Sequence, residues 1–261
     1  MIQELLTYLK SKRSASKEAQ VFGHLYESIA LIEREKRCRT HWLSHRTQCK
    51  TFISEHLHLA VKKRSVLVLG SGPLHEIPLE VLADTFDQVD LVDIVHPEET
   101  KKFYAQYTNV KFIEADITEL EKDLIKEKKP IEKIPTAFIA SGYDLVISAN
   151  LMSQLAYHLR TFLQKKVRPK MTEAELDQFC NLVTQNHYFY LKNFNCPVIL
   201  ITDIETILLD KSDKIIQKET PYIDFTFPTP LKEWWWNVAP IPEYSKNESL
   251  KMKVAGFLLN V

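Results

Sequence analysis

Residues 65–83, SVLVLGSGPLHEIPLEVLA, constrain the fold of this chain more than any other stretch. An apolar run passes without interruption into Gly70-Ser71-Gly72, and an amphipathic segment follows. A strand buried on both faces reads as such a run. Glycines at its exit permit a tight turn and let a neighbour approach the backbone closely. A strand-to-helix turn of this kind also occurs without a ligand, so its meaning depends on what other segments bring to the same edge.

Those segments alternate. Short apolar runs at 65–69, 88–92, 110–114, 144–148 and 198–202 predict strands, and amphipathic stretches at 79–85, 98–107, 151–165 and 173–194 predict helices. Thr172 and Glu175 have the spacing of a capping box, in which each satisfies an orphan amide of the other. Strands alternating with helices imply an α/β fold, a Rossmann-like, mostly parallel sheet flanked by helices. The Lys-rich stretch 121–142 reads as a surface excursion between the third and fourth strands. Two strand-like runs near the end, 234–238 and 253–260, have no helix-length spacer between them and predict an antiparallel pair closing the sheet. Residues 1–61 read as a helical N-terminal region, with Ser16 capping a helix that carries Val21, Leu25, Ile29 and Ile32. A second helix is expected over 40–60, with Trp42, Phe52, Leu57 and Leu59 as its apolar residues. The domain that carries the sheet is then 62–261.

The composition, 45% hydrophobic and 26% charged, is that of an ordinary globular protein. Its 34 basic and 34 acidic residues argue against a nucleic-acid-coating protein. Residues 1–64 nevertheless hold 13 Lys and Arg against six acids, so this region is +7 and the rest −7. That excess is either a solvated helix face or help in holding an anionic acceptor. No run approaches the ~18 apolar residues of a membrane span, and no secretory signal pattern opens the chain. Cys38, Cys49, Cys180 and Cys196 show no CxxC spacing, so reduced thiols in a cytoplasmic protein are expected and a metal site is not.

Which ligand would the glycine turn receive? A dinucleotide fingerprint needs a third glycine where His75 stands, and Pro73 has no N–H to offer a pyrophosphate. Asp93, 21 residues after Gly72 at the end of the second strand, can accept from ribose hydroxyls. Asp116 ends the third strand and can accept from an adenine amine, with Ile117 packing on the ring. Asn150 ends the fourth. Ligands bind beyond the carboxyl ends of such strands, so the four elements converge on one cleft. This requires Asp93 and Asp116 on the same side of the molecule and an open crevice beside Gly70.

In order and spacing, these segments resemble the motifs of class I S-adenosylmethionine-dependent methyltransferases, over residues 65 to about 205, and the terminal strand pair resembles that family's closing hairpin. The resemblance implies S-adenosyl-L-methionine as cofactor and S-adenosyl-L-homocysteine as product. Leu69, Gly70, Ser71 and Gly72 would line the methionine part, Asp93 and Ile94 the ribose, Asp116 and Ile117 the adenine, and Asn150 and Leu151 the floor near the sulfonium. Val68 stands where the family commonly has an acid, for which Glu76 is a candidate substitute, and Leu74 stands at its usual third small residue. No DPPY or NPPY sequence follows the fourth strand, which gives no support for methylation of base amines.

On the acceptor side, His75, Asn150 and His158 are the catalytic candidates. Arg37, Trp42, His45 and Arg46 are candidates for binding a small, possibly anionic molecule, with Trp42, His45 and Arg46 on one helix face. The expected function is methyl transfer from S-adenosylmethionine to a small molecule. Two other readings stay open: a module that kept the fold and binds without turnover, and an NAD-dependent oxidoreductase.

Overall fold

The computed structural model describes residues 16–221 and 225–261, so the first 15 residues of the expected helical region lie outside it. Five parallel strands form the centre of one sheet: β1 (Ser65–Leu69), β2 (Gln88–Asp93), β3 (Val110–Glu114), β4 (Leu145–Ala149) and the first part of β5 (Val198–Asp210). A short strand β6 (Ile215–Glu219) pairs only with the far end of β5. β7 (Lys232–Ala239) and β8 (Glu248–Leu259) close the sheet antiparallel, giving the order β3-β2-β1-β4-β5-β8-β7. The antiparallel ending expected from the last two apolar runs is therefore present. The lengthened β5 and its β6 partner differ from expectation. Asp203 and Glu205 interrupt the apolar run that ends at Thr202, although the strand continues through them to the Asp210–Lys214 turn.

Alternation along β1 divides the core. Val66 and Val68 face one layer with Trp42, Phe52, Leu79 and Leu82, while Leu67 and Leu69 face another with Tyr190, Leu191 and Phe194. The helices are α1 (Lys17–Phe22), α2 (His24–Glu55), α3 (Leu79–Thr85), α4 (Glu98–Phe103), α5 (Glu121–Glu127), α6 (Leu155–Lys166) and α7 (Glu173–Lys192). The capping box at Thr172 and Glu175 forms as its spacing predicts, and Ser16 accepts from the Ala19 amide. Helix α5 occupies the start of the expected surface excursion.

The two expected N-terminal helices divide elsewhere. Gly23, at φ 86°, ends α1, and α2 then runs unbroken for 32 residues because nothing between His24 and Glu55 is proline or glycine. Its buried seam, Cys38, Trp42, His45, Cys49 and Phe52, recurs at alternating spacings of four and three, which lays one stripe along β7 and the sheet. Gly256 of β8 receives the ring of Phe52: a Cβ there would stand 2.6–2.9 Å from three ring carbons. Gly256→Ala is accordingly expected to destabilise the fold by about 1–3 kcal/mol through overpacking. Urea denaturation of this variant and of Gly256→Ala/Phe52→Leu, which makes room, measures the contribution; equal midpoints for wild type and Gly256→Ala would refute the clash. Among the described residues, no helix is long and apolar enough to cross a membrane.

Candidate functional site

The strand order reverses between β1 and β4, which makes a crevice at their carboxyl ends. Gly70–Gly72 leaves β1 there, Asn150 and Leu151 leave β4, and Asp93 ends the neighbouring β2.

The two glycines differ in what they face. Gly70, at φ 75°, donates its N–H to Val92 O, and a Cβ on it would stand 2.8 Å from Leu151 Cβ and 2.9 Å from Ala149 O. The space on the Cβ side of Gly70 is thus filled by Leu151 and the Ala149 carbonyl. This glycine lets the exits of β1 and β4 touch. Gly72, at φ 45°, has only Asp93 Oδ2, at 3.8 Å, within reach of a Cβ, and its N–H donates to that oxygen at 2.8 Å. A side chain here would enter the space between the turn and the carboxylate. Leu69 is fully buried, so it meets the crevice through its backbone. Ser71 is buried, with Oγ 2.9 Å from His96 Nε2. Leu74 keeps a left-handed φ of 64° while its side chain packs into the core with Val68. An acid at position 68 would lie in that apolar layer, which is the physical reason valine stands there.

Asp93 and Asp116 lie at the same edge of the sheet, since β2 and β3 run parallel with Asp93 opposite Glu114, two residues before Asp116. Asp93 accepts from Gly72 N–H and, through Oδ1, from Ile94 N–H, leaving lone pairs for further donors. Burial pushes its carboxyl up, against those hydrogen bonds. Asp116 is more committed: Oδ1 accepts from the amide and hydroxyl of Thr118, and Oδ2 from the Glu121 amide at the start of α5. Its main work is to hold its own loop, with Ile117 buried beneath. Ile94 packs beside a small cluster of Ala19, Leu25, Ile29 and Val95, so the α1–α2 elbow covers this end of the crevice.

That elbow accounts for His158. Its Nδ1–H donates to Phe22 O at 2.9 Å, and its ring lies 4.2 Å from that of His24. Burial pushes it down to about 4. In the structure His158 ties the elbow to α6. His24 Nε2 meets Glu121 Oε1 in a short hydrogen bond. Burial lowers the imidazole and raises the carboxyl to about 9, with Asp116 and Glu18 adding to the rise, so a neutral acid donates to a neutral ring. Sequence reasoning missed this contact, because a histidine and a glutamate 97 residues apart carry no joint signal.

The cationic cluster is also spent internally. Arg37 forms a two-pronged pair with Glu243, at 2.8 Å on each oxygen. Arg46 pairs with Glu35 and reaches His75 O at 3.4 Å. Each guanidinium is matched by a carboxylate of this chain. Trp42 is buried, its indole donating to Val238 O at 3.0 Å and its ring edge-on to Trp236. His75 is mostly buried, 3.8 Å from Glu35, and burial lowers its imidazole.

His45 is buried and meets Asn150 at the end of β4. It stacks on Trp236 at 4.1 Å and accepts at Nδ1 from the Trp234 indole at 3.0 Å. Its Nε2 lies 3.3 Å from Asn150 Nδ2 and 3.6 Å from Glu76 Oε1. Asn150, at φ 49°, donates its backbone N–H to Ile201 O, and Asp203 at β5 accepts from Ser153.

No protein-family model matches the sequence, and no curated protein matches it. Solved structures of similar outline include a complex of DhpI with SAM and HEP, at 10% identity over 92% of this chain and 99% of that one, with a TM-score of 0.40. Another is the Burkholderia thailandensis 1,6-didemethyltoxoflavin-N1-methyltransferase with 1,6-didemethyltoxoflavin and S-adenosylhomocysteine, at 14% identity over 88% and 89%, with a TM-score of 0.33. A third is the Haemonchus contortus phosphoethanolamine N-methyltransferase 1 with phosphoethanolamine and S-adenosylhomocysteine, at 11% identity over 84% and 49%, with a TM-score of 0.30. Scores this low establish neither activity nor substrate.

Proposed function

We propose that the chain binds S-adenosylmethionine at the β1/β4 crevice and transfers its methyl group to a small molecule. The observation that carries this reading is the Gly72 turn, left bare on the side of Asp93 and hydrogen-bonded to it, at the switch point of the sheet. A ribose fits beside a carboxylate that retains lone pairs, and adenine fits against Ile94 and Ile117. A pyrophosphate fits poorly, because the turn continues into Pro73 and the first helix, α3, starts only at Leu79. That disfavours the NAD-dependent reading.

When bound, the cofactor supplies an electrophilic methyl group. The protein's part is to align an acceptor with it and keep water out. In this reading Asp93 orients the nucleoside, Asn150 and Leu151 form the floor, and the α1–α2 elbow covers the adenosine end. His45, set between Trp234 and Trp236, borders the acceptor side. His75, kept neutral by burial, is the remaining candidate to take a proton from an acceptor that must lose one. With Arg37 and Arg46 already paired, an uncharged acceptor suits the site better than an anionic one.

A second reading, binding without turnover, is favoured by Val68 in the apolar layer and by Leu151 against Gly70. Calorimetric titration of the intact protein with S-adenosylhomocysteine tests both. Saturable one-to-one binding is expected, and its absence would sink both together. Binding with no methyl transfer to any acceptor class selects the second.

A further inference from the structure

We propose that the α1–α2 elbow is a hinged cover over the Ile94 end of the crevice, turning about Gly23 and latched by the hydrogen bond between Glu121 and His24. Lifting it releases the Glu121 proton, so this end of the crevice opens more readily as pH rises.

The elbow is lightly held. In α1 the buried residues are Ala19 and Phe22, and the Phe22 ring rests on Phe162 with centres 4.7 Å apart. Two imidazoles tie it down: His158 donates to Phe22 O, and His24, the first residue of α2, meets Glu121 of α5. Those rings lie 4.2 Å apart, so the two ties form one contact. Gly23 joins the helices at φ 86°, and a Cβ on it would meet nothing within 4 Å, so no neighbour wedges the joint. A segment with so little buried surface opens locally at a lower free energy than the sheet does.

While the elbow is down, Glu121 needs its proton. Its side chain is 3% exposed, and Oε2 has no hydrogen-bond partner among the described residues. The charged groups that bear on the pair are acids: Asp93 at the end of β2, Asp116 in the loop after β3, Glu18 on α1 and Glu27 on α2, with neutral His158 facing them from α6. An ionised carboxylate would leave one oxygen bare in a buried place beside other acids, which agrees with a carboxyl raised to about 9. Once the elbow lifts, water reaches Glu121 and its value returns to the ordinary ~4.3. Between those values the open state binds one proton fewer than the closed state. The open fraction therefore rises about tenfold per pH unit and levels off above the folded value. Below about 6.5, His24 and His158 take up protons on opening and counter that release, so the steep range runs from there to about 9.

Amide hydrogen exchange of the intact protein, read by mass spectrometry over residues 17–28 at several pH values and divided by the intrinsic rate at each, tests this. In wild type, protection of the elbow is expected to fall about tenfold per pH unit from about 6.5 to about 9, with β1 more protected throughout. Glu121→Gln keeps a donor for His24 and cannot ionise, so its elbow protection is expected to stay level over that range. A level wild-type profile would overturn the latch, and so would a Glu121→Gln profile as steep as that of wild type. Elbow protection equal to that of β1 at every pH would overturn the hinge, because the elbow would then open only with the whole fold. Should Glu121→Gln not fold, the wild-type curve decides alone. No ligand enters the experiment, so its outcome is separate from the methyl-transfer reading.

Discussion

Gly70→Ala is expected to destabilise the protein by about 3 kcal/mol or more, and Gly72→Ala by only about 1–2, although the two positions are separated by one serine. Both backbones are left-handed, at φ 75° and 45°, so each alanine carries the same order of strain. They differ in surroundings. The new methyl at 70 would sit 2.9 Å from a carbonyl oxygen of the adjacent strand exit, which is backbone and cannot swing away, and 2.8 Å from Leu151 Cβ. Trimming Leu151 to alanine leaves both atoms in place, so the double variant Gly70→Ala/Leu151→Ala is not expected to recover. At 72 the nearest atom is 3.8 Å away, an ordinary contact. There the methyl stands in the space assigned to the ligand. Gly72→Ala is therefore expected to stay folded and to weaken S-adenosylhomocysteine binding by at least about tenfold. Urea denaturation and calorimetry on the same preparations read both effects. Full-strength binding by folded Gly72→Ala would show that no ligand backbone passes this turn, and the methyltransferase reading would lose its main support.

The same pair of glycines shows what the sequence could and could not convey. The strand, the turn and the helix after it were legible, because an apolar run ending in glycine has few other solutions. What each glycine faces was not, because Leu151 arrives from a different crossover, 81 positions along the chain. Asp93 was legible as a strand-end acid. Asp116 looked identical in sequence, yet Thr118 and the Glu121 amide claim its oxygens. The α2 stripe was readable only in part. Its four-three spacing includes two cysteines and a histidine, residues that a search for aliphatic periodicity passes over. The arginines were read as parts of one cationic, aromatic cluster, with Arg46 on the face of Trp42 and His45, but their charge was matched by Glu243, some 200 residues distant, and by Glu35 on the same helix. Local pattern thus reported elements and their ends well. It could not report the long-range pairings that decide which side chains remain available.

Mild acid is expected to unfold this protein earlier than its carboxylates alone would require. Besides His24 and His75, which burial also lowers, three imidazoles are pushed furthest down by burial: His187 to about 3, and His96 and His158 to about 4. In the unfolded chain each takes a proton near the ordinary histidine value of 6.5. Below that pH the unfolded state binds protons that the folded state refuses, so stability falls as pH falls, down to about 4 for two of them and about 3 for the third. From pH 6.5 to 5 each contributes a loss of up to about 2 kcal/mol, less at the partly exposed His158. Glu121 runs the other way. Its folded carboxyl, raised to about 9, already holds a proton that the unfolded chain takes up only near its ordinary value, so acidification over this range favours the fold and offsets one histidine. The net expectation is an uptake of about two protons on unfolding and a loss of about 4 kcal/mol between pH 6.5 and 5, a large part of an ordinary domain's stability. Urea denaturation at several pH values measures that slope. His187→Gln, which keeps a partner for Ser148, is expected to reduce it by about one proton, and a wild-type slope of zero would refute the account. Two of the three groups also belong to the crevice: His96 anchors Ser71 in the glycine turn, and His158 anchors Phe22 at the elbow.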